Sequence, residues 1–179
     1  MRLQQMIIGM MLLLSFGVSQ AGEARHYFGI SNESYSITGL DGVSYRYGYD
    51  FSNMLSMEID YSQTDLAAPT TEVLTVDSIT NLMFHFNKRY ESINVYFALG
   101  YGSAAMTQAG NSVKEAYNGA SYGVGLELYG SKNTAVSFSW LRRIEATDDP
   151  NFTPPVTKID VVQIGIVHHF DFGKAVSRY

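Results

Sequence analysis

Cysteine is absent from the 179 residues, so no disulfide can staple this fold in an oxidising compartment. Basic residues are few. The 12 Lys and Arg stand against 17 Asp and Glu, and a net charge of −5 excludes the electrostatic footprint of a nucleic-acid binder. Proline occurs four times, and the helix formers Ala, Leu, Glu and Lys do not dominate. After residue 21 no window approaches the roughly 18 consecutive apolar residues of a membrane-spanning helix. What the chain does have is 13 Tyr, 10 Phe and 16 Gly, a mixture of strand formers and turn formers. Its 46% apolar and 16% charged content is that of a folded chain of one domain.

Residues 1–21 read as a signal peptide. Met1-Arg2 precedes a charge-free stretch from Leu3 to Gln20, whose apolar centre, Met6 to Val18, is 13 residues long and too short to span a bilayer. Ser19-Gln20-Ala21 places small residues at both cleavage-determining positions, so cleavage after Ala21 is expected, with Ala24 as the alternative site and an uncleaved anchor as the rival reading. No Cys follows the apolar run, which excludes a lipid-anchored N-terminus.

The remaining chain alternates with period two, the signature of strands with two unlike faces. In Leu55 to Ser62 the apolar residues Leu55, Met57, Ile59 and Tyr61 share one face, and Ser56, Glu58, Asp60 and Ser62 share the other. Val43 to Asp50, Ile93 to Gly102 and Ala120 to Leu128 alternate in the same way, and weaker runs cover His26 to Ser31, Leu74 to Phe86, Thr134 to Arg142 and Ile159 to Phe170. Eight strands result. Short turns at Phe51-Ser52-Asn53, Asn87 to Ser92 and Gly130 to Asn133 alternate with connections of 10 residues or more at Asn32 to Asp41, Gln63 to Val73, Ser103 to Asn118 and Arg143 to Val156. That order predicts an all-β, eight-stranded antiparallel up-and-down transmembrane barrel, with its short turns on one side of the membrane and its long loops on the other.

A water-soluble eight-stranded barrel of the lipocalin kind would alternate similarly. Its polar face would meet water and carry Lys, Glu and Thr, whereas here that face is rich in Gly, Ala, Ser and Asn. Small side chains suit a crowded interior, because eight strands leave a lumen just wide enough to be filled by side chains. The expected arrangement sets large polar residues such as Arg46 and Glu58 beside Gly100, Gly123, Gly125 and Gly165. The apolar face is then the lipid-facing one, and Tyr47, Tyr49, Phe51, Tyr61, Phe84, Phe86, Tyr101 and Tyr129, clustered toward strand ends, read as interfacial aromatic girdles.

These features resemble the small outer-membrane β-barrel proteins of Gram-negative bacteria, the OmpA/OmpX-like group. The resemblance covers residues 25–172 and is carried by Val-Tyr-Phe-Ala-Leu-Gly-Tyr-Gly at 95–102, Tyr-Gly-Val-Gly-Leu-Glu-Leu at 122–128 and Gly165-Ile166-Val167-His168-His169-Phe170. It implies a barrel domain over 22–172 with a short tail at 173–179 and a monomer in the outer membrane after signal-directed export; the peptidoglycan-binding domain that some relatives carry after the barrel is not expected in the nine residues that follow Phe170. It also implies contact with outer-membrane lipids and lipopolysaccharide, handling by periplasmic chaperones and the barrel-assembly machinery, and an assembly signal in the last strand at Val162, Ile164, Ile166 and Phe170.

Chemistry finds little support. Lipid A deacylases and palmitoyltransferases of this architecture need a His, a Ser and a carboxylate convergent at the outer leaflet. His26, His85, His168 and His169 all fall toward the periplasmic ends of their strands, and no His-x-Ser motif occurs. They read as interfacial or lumenal histidines. Asp148-Asp149-Pro150-Asn151 offers oxygen ligands for a divalent cation, yet a solvated acidic loop explains it better. No catalytic residue, metal or cofactor is therefore expected. Two roles remain: a non-enzymatic protein displaying four external loops in a structural or adhesin-like capacity, or a small-solute pore. Inside the barrel, counting outward from the turn at 51–53 sets Arg46 near Glu58, opposite or one step diagonal, so that Arg46, Glu58, Asp60 and Glu127 form a lumenal polar cluster. The competing arrangement leaves Arg46 unpaired at a hydrated end of the lumen.

Overall fold

Side chains that alternate between a polar and an apolar face can satisfy both only if the sheet separates two environments, and closing the sheet on itself does this without leaving an edge. The computed structural model describes residues 25–36, 41–64, 74–108, 114–147 and 156–170. The expected signal peptide, the tail and the acidic loop at 148–151 lie outside these residues. Eight strands form: β1 Arg25–Tyr35, β2 Asp41–Asp50, β3 Leu55–Thr64, β4 Leu74–Arg89, β5 Ile93–Gln108, β6 Lys114–Tyr129, β7 Thr134–Ala146 and β8 Val156–Phe170. Each pairs antiparallel with its sequence neighbour, and β8 pairs with β1 to close the barrel. No helix among the described residues is long and apolar enough to cross a membrane, which leaves crossing by strands untouched.

Strand number and connectivity match the expectation from the sequence, and strand length does not. The connections expected to be long shrink to residues 36–40, 65–73, 109–113 and 147–155, because the strands run on past their apolar segments. In β5 the extension carries Ser103, Ala105 and Thr107 on one face and Ala104 and Met106 on the other. Backbone pairing continues there while the contrast between faces fades. β4, β5 and β6 have 16 residues each against 10 for β2 and β3, so one side of the barrel stands taller at the loop end. A register shift between Val76 and Ser78 leaves Asp77 as an extra residue in β4, its carboxylate accepting from Thr107 Oγ1 at 2.9 Å, which explains the mixed pattern at the start of the strand.

The interior is stratified. Toward the loop end an apolar cluster of Tyr35, Val76, Ile79, Met106, Tyr117 and Ile159 packs across the lumen around the buried Glu33 and Arg143. Below lie Arg46, Glu58 and His85, and toward the turn end Asp50, Asn94, Glu127 and His169. Outward, Ile59, Leu82, Phe97, Leu99, Val124, Ile164 and Ile166 are exposed. Among the described residues the largest fully buried side chains include two arginines, Arg46 and Arg143.

Candidate functional site

Any chemistry a barrel of this size performs has to arise in its interior or at its ends, and the interior begins with Arg46. β2 carries it inward, and it is 1% exposed. The β2–β3 turn occupies residues 51–54, and the pairing beyond it sets Arg46 opposite Asp60 and Gly48 opposite Glu58. The register differs by two residues from that counted from the sequence, and Glu58 lies one step diagonal to Arg46, one of the two placements expected for it. The turn is centred on Asn53, with Phe51 N–H donating to Leu55 O and Asp50 opposite Ser56, one residue later than the centre at Ser52 counted from the sequence, and this moves the partner by one inward-facing position. The guanidinium donates from Nη2 to Ser137 Oγ across the barrel at 2.5 Å. Its glycine neighbour is Gly29, where an added Cβ would lie 3.2 Å from Arg46 Nε, rather than the four glycines named from the sequence. Those serve others: Gly100 lies under Met83, Gly123 under Leu141, Gly125 under the Tyr96 ring and Gly165 beside Ser31.

The acids of the expected cluster are held separately. Glu58 Oε1 lies 3.7 Å from His85 Nε2, and the His85 ring stacks on Tyr96 at 4.5 Å with planes 5° apart. Asp60 Oδ2 accepts from Gln163 Nε2 at 3.0 Å, and the same nitrogen donates to Glu33, which also accepts from the Tyr35 hydroxyl. Glu127 accepts from Asn94 Nδ2 at 3.0 Å and from Tyr129 Oη at 2.8 Å. Arg46 and Asp60 are thus brought face to face, Glu58 lies one inward position away, and Glu127 belongs to a different group near the turn end.

Three interior residues were missed from the sequence. Glu33 and Arg143 fell in segments read as loops, yet β1 and β7 run far enough to bury both, and Arg143 donates to Asn81. Asp50, the last residue of β2, gathers Arg89 at 3.4 Å, His169 at 3.3 Å and Arg25 at 3.5 Å. Tyr129 bridges this group to Glu127, its hydroxyl 3.0 Å from His169 Nε2. That position corrects the reading of Tyr129 as lipid-facing: it shares a face with Glu127, two residues back along β6, and the alternation carries both inward.

The other aromatics named from the sequence point outward or lie in a turn. Tyr47, Tyr61, Phe86 and Tyr101 are exposed, and Tyr49, Phe51 and Phe84 are half-buried. Tyr47 and Tyr49 surround His26, whose Nδ1 is 2.7 Å from Tyr47 Oη. Tyr61 and Tyr101 lie instead toward the loop end, in company with Tyr45, Tyr122 and Trp140. In β8, Val162, Ile164, Ile166 and Phe170 face outward together. Of the four histidines, His85 and His169 are buried in the interior, while His26 and His168 lie outside it. Among the described residues no three His, Asp or Glu side chains converge as metal ligands.

Comparison with known proteins gives a family and a fold. A family model described as "Outer membrane protein beta-barrel domain" matches residues 8–170. No curated protein matches by sequence. Among solved structures, the N-terminal β-barrel domain of OprF from Pseudomonas aeruginosa is 13% identical with a TM-score of 0.63, and covers 84% of this chain and 100% of that one. Neisserial surface protein A is 12% identical with a TM-score of 0.60, covering 84% and 98%. The attachment invasion locus protein Ail of Yersinia pestis is 19% identical with a TM-score of 0.52, covering 84% and 100%.

Proposed function

Since the chain belongs to the outer-membrane β-barrel domain family, we propose that it is a non-enzymatic surface protein of the Gram-negative outer membrane, whose barrel displays four loops outside the cell in a structural or adhesin-like role. The membrane position follows from the family. The observation that carries the rest is the filled interior. Tyr35, Met106 and Tyr117 pack it at the loop end, Arg46 and Tyr96 cross its middle, and the Asp50 group occupies the turn end. A void lined by Glu33, Tyr35, Asp60 and Arg143 measures about 10 Å³, the size of one water molecule. Such a lumen argues against a solute pore. The histidines argue against lipid A chemistry, since none stands at the loop end beside a serine and a carboxylate.

Under this reading Tyr47, Tyr49, Phe51, Phe84 and Phe86 are the aromatic girdle of the periplasmic interface, and Tyr61 and Tyr101 belong to the outer one. Residues 1–21 direct export and are removed. The outward row Val162, Ile164, Ile166 and Phe170 is the signal read by the assembly machinery after periplasmic chaperones deliver the chain. Lipid and lipopolysaccharide are the partners of the outer wall, and the barrel works as a monomer. Limited proteolysis of intact cells tests the display: cleavage is expected within 65–73 or 148–155, and cleavage at 90–92 or 130–133 without permeabilisation would refute it.

A further inference from the structure

The outer wall of the barrel is not uniform at its loop end. Above the apolar band, the outward residues of β1, β3, β4, β5 and β6 include the uncharged Asn32, Gln63, Thr80, Ser103 and Asn118, and β2 carries a single acid, Asp41. On β7 and β8 they are Arg142, Asp160 and Lys158, joined by cross-strand pairing of Arg142 with Asp160 and of Ile144 with Lys158. Asp160 takes Nε and Nη2 of Arg142 in a two-pronged contact at 2.7 Å each, and the Tyr122 hydroxyl, opposite Arg142 on β6, also hydrogen-bonds the guanidinium. The guanidinium lies 5.4 Å over the Trp140 ring, and Tyr122 meets the same ring edge-on at 6.3 Å. Lys158 is exposed two residues from Asp160 on the same face.

The height of this patch follows from strand geometry. Phe170 and Asp160 are ten residues apart along β8, and at about 3.3 Å per residue with a tilt of about 40° they are separated by about 25 Å along the barrel axis, the thickness of the apolar band of a membrane barrel. Between them only Val162, Ile164, Ile166 and His168 face outward. Arg142, Asp160 and Lys158 therefore stand where the lipid hydrocarbon ends and the phosphates begin. The arginine and the aspartate would neutralise each other and need no third charge there. Lys158 gives the patch a net positive charge at the level of the phosphates, and Trp140 holds the guanidinium flat against the wall.

We propose that Arg142 and Lys158 bind the phosphate of an outer-leaflet lipid head group, with Trp140 against its glycerol boundary and Asp160 acting as a positioning residue for Arg142. This rests on the reading of the loop end as the outer face. Two donors from neighbouring strands suit a phosphate oxygen pair, and the indole suits the boundary between glycerol and acyl chain.

Trp140 is the single tryptophan of the chain and so reports on its own surroundings. The test uses the refolded full-length protein in phosphatidylcholine vesicles. Quenching by lipids brominated near the ester end of the acyl chain should exceed quenching by lipids brominated near the methyl end. A minor fraction of brominated phosphatidic acid should then quench Trp140 with about fivefold higher apparent association than the same fraction of brominated phosphatidylcholine, falling as salt is raised. Lys158→Gln, which leaves the Arg142–Asp160 contact in place, should reduce the preference to about twofold, and Arg142→Gln with Asp160→Asn should reduce it similarly. Stronger quenching from the methyl end would show Trp140 deep in the hydrocarbon and overturn the membrane frame itself. Interfacial quenching with equal response to both lipids, or a preference that survives Lys158→Gln, would leave the frame standing and overturn the phosphate site.

Discussion

Replacing Arg46 by Met removes a charge from the middle of the barrel while keeping most of the side chain's volume. Arg46 is 1% exposed, Asp60 opposite it 1% and Glu58 4%, so water cannot take over the role of the guanidinium without opening the lumen. Losing the charged hydrogen bond to Ser137 Oγ costs about 1.5–3 kcal/mol. Two buried carboxylates then lose their nearest buried counter-charge, an effect worth about 3–5 kcal/mol where a partner is in direct contact. Arg46 faces Asp60 and Glu58 without a close ion pair to either, so this second effect falls below that range, at about 1.5 kcal/mol, and with the lower figure for the hydrogen bond the total is about 3 kcal/mol. With a urea dependence of about 2 kcal/mol per molar, the unfolding midpoint of the refolded barrel should fall by about 1.5 M. Trp140 fluorescence follows the transition. Adding Asp60→Asn should recover part of the loss, adding Glu58→Gln a smaller part, and Arg46→Lys should fall between wild type and Arg46→Met. An unchanged midpoint for Arg46→Met, or double substitutions that are simply additive, would refute the argument that Arg46 compensates these carboxylates.

A methyl group at Gly125 would overlap the Tyr96 ring, so Gly125→Ala should lower stability by about 1–3 kcal/mol in the same urea assay, and a much smaller loss is expected in a Tyr96→Ala background. If the loss is the same in both backgrounds, the ring is not what the glycine accommodates. Asp50→Asn leaves Arg25, Arg89 and His169 without their shared carboxylate and should cost about 2 kcal/mol, with amide exchange rising first at the turn end. Uniform exchange along all strands would contradict that local role. Planar bilayers containing the purified protein should show no large stable conductance, and porin-sized steps would restore the pore reading.

Period-two alternation is a local property, written residue by residue in Leu55–Ser62 or Ile93–Tyr101, which is why the faces and the number of strands could be read without coordinates. Where the strands end could not, because Ser103 to Gln108 and Lys114 to Asn118 pair through the backbone and their small or mixed side chains carry no contrast. The same blindness hid Glu33 and Arg143, both inside extensions that read as loops. The polar cluster fails differently. Arg46, Glu58, Asp60 and Glu127 all face inward as alternation requires, but which of them meet depends on register. Register is fixed by the length and shape of a turn such as 51–54, where Ser52 Oγ accepts from the amides of Met54 and Leu55 and Phe51 pairs with Leu55. A shift of two residues there preserves every face, so alternation cannot detect it, and yet it exchanges Glu58 for Asp60 as the partner of Arg46. Contacts across the lumen, such as Arg46 to Ser137 on β7, depend further on how the strands stagger on closure, a property of the whole barrel that no single strand encodes.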